Sequence, residues 1–437
     1  MNTSTRTYWI DLSDLSEWSG HYTGIQRVVF NISKYYAERS DVRFFVFDRP
    51  QTGFFEVDFE IIKKPTESMT IETDGPIIRQ HILRRIAYAI PGRYRQMIPS
   101  SAKELLKSVY RTTKNVRQNS KKQASRNKKF ASNNKAIFSK NDVILVLGSP
   151  WANPVMMPSL VASKQEVGFK LVQLIYDVIP VLMPYLFGEE LFAIFTRYLF
   201  DVVANSDALV AISKSSKHDV EKFMDDLLVP KVPVDVIRLG DEFDQSVGHR
   251  PGNLLQPNNF ILCVGTFEVR KNHQLLYYAY KEAKLRGDSL PKLVIVGRQG
   301  WLTRDLEYVI KNDLDVKDDI LIMHDTSDSG LAWLYSNCRF TVYPSLYEGW
   351  GLPISESLAY GKFCIASNTS SMIEIAPELV DHFSPYNPVE CLDLLKKYSN
   401  DDKALRDKEN LIKLEYKEYT WIETFTKLQT FIEDILG

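Results

Sequence analysis

Short, β-rich apolar runs separated by longer stretches of helical spacing constrain this chain more than any other feature. The runs are Arg43–Phe47, Val143–Leu147, Lys170–Tyr176, Ala208–Ile212, Val234–Leu239, Phe260–Val264, Leu293–Val296, Ile320–Met323, Arg339–Tyr343 and Phe363–Ala366. Several are apolar without alternation, as expected of parallel strands buried on both faces. Between them, helical patterns cover Gly24–Ala37, Phe187–Ala204, Ser215–Leu227, Asn272–Arg286, Thr303–Asn312, Gly330–Tyr335 and Pro353–Tyr360. This alternation predicts an α/β chain of doubly wound sheets. A stretch rich in Gly, Pro and Asn, from Gly248 to Asn259, interrupts the series and predicts a boundary. The expected division is a first domain over 1–247, a second over 248–418, and a closing amphipathic helix within 419–437 that aligns Phe425, Leu428, Phe431 and Ile432. A chain of 437 residues is long enough for two such cores.

Hydrophobic content of 44% and charged content of 25% are ordinary for a soluble globular protein. The formal net charge of −1 conceals an asymmetry: Arg79 to Lys129 holds 15 Lys/Arg against one acid, Glu104, a net of +14 that leaves −15 for the rest. Cys263, Cys338, Cys364 and Cys391 have no metal-site or redox-pair spacing and read as reduced core thiols in a reducing compartment. The N-terminus leads into a strand with Asp11 and Asp14 close behind, so no signal peptide is expected. No apolar run reaches the ~18 residues of a membrane span.

The string Tyr343-Pro-Ser-Leu-Tyr-Glu348-Gly-Trp-Gly-Leu-Pro353-Ile-Ser-Glu356 follows one apolar run and opens a helix. Pro353 suits the first helical position, where a missing N–H costs nothing, and Gly361 the residue past its end. Gly349 and Gly351 let backbone approach a ligand closely. A helix N-terminus attracts an anion, and the flanking carboxylates accept hydrogen bonds from hydroxyl groups. Anion and hydroxyls together suggest a sugar nucleotide. Either Glu alone fits an ordinary acidic helix start; the whole string does not. Upstream, the run Phe260–Val264 ends at Gly265 and is followed by Arg270-Lys271-Asn272 at the next helix start. Ligands of open α/β sheets gather at the carboxyl ends of strands. There Arg270 as a fork and Lys271 as a point charge suit a diphosphate. Basic residues at a helix start oppose its dipole, which favours a functional reason over a merely solvated one.

These residues carry a resemblance. The Glu348–Glu356 spacing around Gly-Trp-Gly-Leu-Pro resembles the paired-glutamate motif of retaining glycosyltransferases of family 4, which have the GT-B fold. Gly265 to Asn272 looks like that family's diphosphate turn, and Leu293 to Trp301, through Gly297, is similar to a strand-loop of bacterial polysaccharide mannosyltransferases. Thr23-Gly24-Ile25-Gln26-Arg27-Val28 resembles the glycine loop facing the donor phosphates; Ile175–Pro180 and Ala211–Ser216 also fit. The resemblance covers nearly the whole chain except roughly residues 53–141.

It implies two Rossmann-like domains facing a central cleft, with the final helix crossing back to the first. It also implies a retaining, metal-independent hexosyltransferase. Its donor would be a nucleotide sugar, GDP-mannose as the first guess, and its acceptor a growing polysaccharide or lipid-linked glycan bound mainly by the first domain. By the same resemblance Arg270 and Lys271 neutralise the diphosphate, with a backbone N–H from Gly24 beside Gln26. Glu356 holds the ribose, and Glu348 with Gly349, Trp350, Gly351 and Leu352 orients the sugar. Asp325 and Thr326, after the Ile320–Met323 run, lie beside the base. No cofactor is implied. Many relatives have His-Asp where Tyr176-Asp177 stands. A phenol is a poor base at neutral pH, so the role of position 176 stays open, as does Asp177, a strand-end contact or a turn acid. The Asp313-Leu-Asp315 pair reads as a solvated face. Two other readings are a GT-B sugar-nucleotide epimerase and a non-catalytic sugar-nucleotide or membrane-binding module.

The region from about 75 to 140 reads as a basic, partly helical and mobile insertion in the first domain. Basic amphipathic segments gain about 1 kcal/mol per Lys or Arg near an anionic bilayer. The 79–129 segment therefore suggests a peripheral place on the cytoplasmic face of the plasma membrane. With few aromatics to stack bases, nucleic acid is the least favoured partner, and a solubilising insertion is the plain alternative.

Overall fold

The computed structural model describes residues 6–16, 24–48, 52–62, 134–242, 248–252 and 255–436. Residues 79–129 and most of the expected insertion lie outside that set.

Two sheets organise the molecule. The first has the order β3-β2-β1-β4-β5-β6-β7 and is formed by β1 (Tyr8–Asp11), β2 (Val42–Asp48), β3 (Gly53–Val57), β4 (Val143–Val146), β5 (Lys170–Ile175), β6 (Ala208–Ala211) and β7 (Val234–Val236). The second has the order β10-β9-β8-β11-β12-β13, from β8 (Phe260–Val264), β9 (Lys292–Val296), β10 (Ile320–Met323), β11 (Phe340–Tyr343), β12 (Cys364–Ser367) and β13 (Val380–Phe383). Every pairing is parallel except β2 with β3. Each sheet is wound outward in both directions from its first strand. The first therefore reverses between β1 and β4, the second between β8 and β11. At such a reversal the connections leave on opposite sides and open a crevice at the carboxyl ends of the strands.

Burial explains the unbroken apolar runs. All four residues of β4, and all of β6, are fully covered. The helix α1 (Ile25–Tyr36) turns Val28, Val29, Ile32 and Tyr36 inward, the spacing of a one-faced helix. The last helix, Trp421–Leu436, lies on α1: the Tyr36 hydroxyl donates to Gln429 at 2.9 Å, and Phe425 meets the Tyr35 and Tyr36 rings at 5.4 and 5.0 Å. Leu428 and Ile432 are buried as their spacing suggested. All four cysteines are free and buried.

The structure departs from the sequence reading in specific places. β7 stops at Val236 rather than Leu239, at an edge where it pairs with β6 alone. β3 and β13 were not expected: Gly53 weakens one pattern, and Asp381 with His382 breaks the other. Ordered pairing also resumes before position 140. Ala136 N donates to Phe54 O at 2.9 Å, and Phe138 meets Trp9, Phe45, Phe54 and Phe169 at ring distances of 5.3–5.5 Å. A single aromatic after a polar run carries no periodicity, so its burial was not legible.

Candidate active site

Two turns meet at the reversal of the second sheet. The one after β8 is a 3₁₀ turn, Val269–Lys271, closed by Asn272 in the left-handed region at φ 57°. The other follows β11 and leads to the helix α2 (Leu352–Ala359), with Pro in its first turn. Asn272 Nδ2 ties them by donating to Pro344 O at 3.0 Å and Pro385 O at 2.8 Å, and Leu346 N donates to Arg270 O at 2.9 Å. Gly265 and Gly297 end β8 and β9 so closely that a Cβ on Gly297 would strike the Gly265 carbonyl.

This stitching brings Arg270, Lys271 and Glu348 into one cluster. Arg270 Nη1 donates to Glu348 Oε2 at 2.5 Å and to Tyr347 O at 3.0 Å, while Nη2 lies 2.8 Å from Glu268 Oε1. Lys271 Nζ donates to Glu348 Oε1 and to the Tyr343 hydroxyl, both at 2.7 Å. Burial alone would raise the Glu348 carboxyl, but Arg270 and Lys271 outweigh it and hold the group at about 2. Burial raises Glu268, with Arg270 opposing it. An ammonium has three donors and a guanidinium five. Lys271 uses two here and Arg270 three, so both cations keep capacity for an added anion.

Glu356 faces the first lobe. The Tyr335 hydroxyl donates to its Oε2 at 2.7 Å, and Arg27 Nη1 from α1 lies 3.5 Å from its Oε1. Burial raises this carboxyl, against the pull of Arg27 and Tyr335. Arg27 stands one position after Gln26, which is half-buried, and three after Gly24, which precedes α1 at φ 52°.

Gly349 is where the lobes touch. A side chain there would collide with the Tyr176 carbonyl and come within 3.1 Å of Asp177 Cβ. The Tyr176 hydroxyl donates to Leu147 O at 2.8 Å, and its carbonyl accepts from Ser216 Oγ at 2.9 Å. Burial lifts the phenol well above its ordinary value, so Tyr176 packs and donates rather than titrates. Asp177 accepts from Ile179 N at 3.0 Å; burial raises its carboxyl, and the nearby Arg270 lowers it. Its turn role and its nearness to the cluster coexist.

Further bonds join the lobes. Glu374 accepts from Lys214 N at 2.8 Å and Ser215 N at 2.7 Å, at the start of the helix Lys214–Asp226. Tyr347 donates to Asp219 at 2.6 Å, and Trp301 Nε1 to Leu186 O at 2.8 Å.

Trp350 is buried in the Gly-Trp-Gly turn, Gly351 precedes α2, and half-buried Leu352 opens it. Asp325 is exposed and Thr326 half-buried after β10, which lies two places from β8 in the sheet order. Sequence reasoning missed Glu268, Tyr343, Tyr335 and Arg27 as members of the site. Glu268 had a signal, an acid two residues before Arg270. Tyr335 had none, because only the packing of its helix against α2 brings it to Glu356. The Asp313-Leu-Asp315 pair is engaged by Lys281, which donates at 2.9 Å to Asp313 and 2.5 Å to Asp315.

Residues 248–415 match the family described as glycosyl transferases group 1. The serotype-specific mannosyltransferase WbdA of Escherichia coli is 26% identical over 280 residues, 60% of this chain and 34% of its own length. The Escherichia coli O-antigen chain mannosyltransferase B is 33% identical over 116 residues, 26% of this chain and 30% of its own. The chain thus spans about a third of the length of these curated relatives. A crystal structure of Anabaena HepE in complex with UDP superposes over 98% of this chain and 100% of that one, with TM-score 0.58 at 13% identity. The two doubly wound sheets are therefore those of the GT-B fold, the second lobe matches the glycosyl transferases group 1 family, and the chain resembles bacterial O-antigen mannosyltransferases.

Proposed function

We propose that this chain transfers a hexose, mannose first, from a nucleoside-diphosphate sugar to a growing polysaccharide or lipid-linked glycan, with retention of anomeric configuration. One observation carries the reading: Arg270, Lys271 and Glu348 converge at the reversal of the second sheet, with Glu356 beside them facing Arg27 of the first lobe. As the sugar–phosphate bond breaks, charge develops on the leaving diphosphate. Preorganised cations and backbone donors stabilise it without reorganising. Lys271 keeps its third N–H for a phosphate oxygen. Glu348, held ionised by the two cations, accepts from sugar hydroxyls, and Glu356 from ribose hydroxyls. The acceptor hydroxyl attacks from the leaving-group face, and its proton passes to the departing phosphate. Neutralisation by Arg270 and Lys271 needs no metal, and Lys281 occupies the Asp313–Asp315 pair.

The mannosyltransferase relatives support mannose. The +14 charge of residues 79–129 supports docking on an anionic membrane, where a lipid-linked acceptor would reside. Among the described residues no helix is long and apolar enough to cross a membrane. The test is transfer from GDP-mannose, with UDP-, ADP- and dTDP-sugars as controls and a chelator present. A product with the donor's anomeric configuration is expected. It should be absent from the Lys271→Ala, Glu348→Ala double variant; transfer that survives both changes rejects the assignment.

A further inference from the structure

Arg27 stands in the first turn of α1, where a cation opposes the helix dipole, so helix stability does not account for it. Val28, Val29, Ile32 and Tyr36 turn into the first lobe, while the Arg27 guanidinium reaches toward the second. Nη2 donates to Glu242 O at 2.9 Å, and Nη1 lies 3.5 Å from Glu356 Oε1. Glu242 belongs to the segment by which the chain leaves the first sheet, and its carboxylate accepts from Trp421 N at 2.8 Å, where the last helix returns. Beside it, buried Asp241 accepts from the Tyr416 hydroxyl at 2.8 Å. That hydroxyl also lies 3.3 Å from Ser355 O, one residue before Glu356. Arg27 thus links the segments that cross between the lobes to the carboxylate assigned to the ribose.

The surroundings of Glu356 are divided between the lobes. Tyr335, from the second, donates to Oε2 at 2.7 Å. Arg27, from the first, faces Oε1 at a distance longer than a good N–H···O bond. It lends charge without taking a lone pair, and Oε1 stays able to accept from a hydroxyl. Glu356 is buried, and a buried carboxylate must be paired to stay charged. Arg27 is the largest of the pulls that oppose the effect of burial, ahead of Tyr335 and Lys271.

Resting on the reading of Glu356 as the ribose carboxylate, we propose that Arg27 is a positioning residue for the donor nucleotide, supporting Glu356 as acceptor for the ribose hydroxyls only while the two lobes are apposed. The ribose is then read by both lobes, through a side chain that never touches it. When the lobes part, Arg27 leaves Glu356, and the affinity lent by the ribose hydroxyls falls.

Calorimetric titration of the full chain with GDP and 2′,3′-dideoxy-GDP tests this, with UDP and 2′,3′-dideoxy-UDP as a second pair. Wild type should prefer the ribonucleotide. Arg27→Met removes the charge and should weaken the ribonucleotide about tenfold, the scale of a lost bond to a charged group, while leaving the dideoxynucleotide within about twofold. Arg27→Gln, which can still donate to Glu242 O, should do the same, and Arg27→Lys should recover most of the preference. In a Glu356→Gln background Arg27→Met should change neither nucleotide, because its target is gone. Equal weakening of both nucleotides, which a structural tie or a direct contact with the diphosphate would give, overturns the inference. So does a preference undiminished in Arg27→Met and Arg27→Gln, or a loss that persists beside Glu356→Gln. A wild type that binds nucleotide without preferring the ribose form strikes the reading of Glu356, and the inference with it.

Discussion

The two sheets reverse in the same way and present opposite chemistry at the crevice. In the second lobe, Arg270 and Lys271 meet Glu348 and Glu268 in a cluster whose charges largely cancel. In the first, Asp11 and Asp14 stand among hydroxyls and an unpaired amide, with no cation in the lining. The same topology thus supplies two different sockets. Which one forms is decided by the first few residues after the central strands: Arg-Lys after β8 and Asp-Leu-Ser-Asp from the end of β1. The fold fixes where a ligand sits, and short connections fix what it is. In the proposed reaction it is the two cations of the second crevice, Arg270 and Lys271, that face the donor diphosphate.

The largest expected effect separates the two sockets directly. Lys271→Ala removes a cation aimed at the developing charge, and turnover should fall about 10²–10³-fold, the loss typical of one oxyanion donor. Binding of a glycan acceptor to the first lobe should be untouched. Steady-state transfer kinetics read the first; ligand-observed NMR reads the second. Parallel loss of both would mean the crevices are not chemically distinct.

Glu348→Gln tests whether the cancellation is real. Removing one partner of a buried charge cluster costs about 3 kcal/mol at the low end of such cases. The sign with pH follows from the carboxyl, which sits at about 2 in the fold against roughly 4.3 unfolded. Its contribution is fully present above the unfolded value and disappears as pH falls through the folded one. The stability gap between wild type and variant should therefore be constant near neutrality and shrink from about pH 4 towards pH 2. Urea unfolding across that range checks it; a gap that widens on acidification contradicts the assignment. Glu268, Glu356 and Asp177 run the other way: burial raises each, so each favours the fold at low pH and loses that contribution as pH rises through its folded value.

How much could be read beforehand also differs between the crevices. Arg270, Lys271, Glu348 and Glu356 stand in short local strings, where a strand end, a Gly-rich turn and a helix start each leave a sequence mark. Asp14 and Asn153 lie in ordinary connections, and only the parallel pairing of β1 with β4 brings them together. The interlobe partner Glu374 belongs to the same class, whereas Tyr176 and Arg27 stand in strings the sequence had marked, without showing what they would touch. Strands buried on both faces were legible from their unbroken apolar runs. β3 and β13 were not, because each pattern is interrupted and each strand lies at a sheet edge.

Gly349→Ala sharpens the comparison at the contact between the sockets. The added methyl meets the Tyr176 carbonyl, which is backbone and cannot rotate away. The lobes must shift, and a displacement of about 1 Å of reacting groups costs on the order of 10²-fold in rate. Unlike Lys271→Ala, this change should weaken use of the acceptor and the donor together. Full activity in the variant would show that the lobes are not held at this contact during transfer.

The smallest effect tests the joint itself. Glu374 reaches across from the second lobe to accept two N–H groups at the start of the helix Lys214–Asp226. Those groups have no partner within their own helix, and the helix dipole favours an anion there. One of the two bonds is exposed, so solvent screens part of the interaction, and about 1 kcal/mol is expected from Glu374→Ala. That corresponds to about a fivefold change in the ratio of closed to open lobes. It should appear as a larger radius of gyration in solution scattering, with no loss of Tm in either lobe. A bound nucleotide sugar should reverse the expansion, because a ligand held by both lobes favours the closed state by its differential affinity. An unchanged radius would place the closing force instead in other bridges between the lobes, among them Tyr347–Asp219, Trp301–Leu186, Arg27–Glu356 and the Tyr176–Gly349 contact.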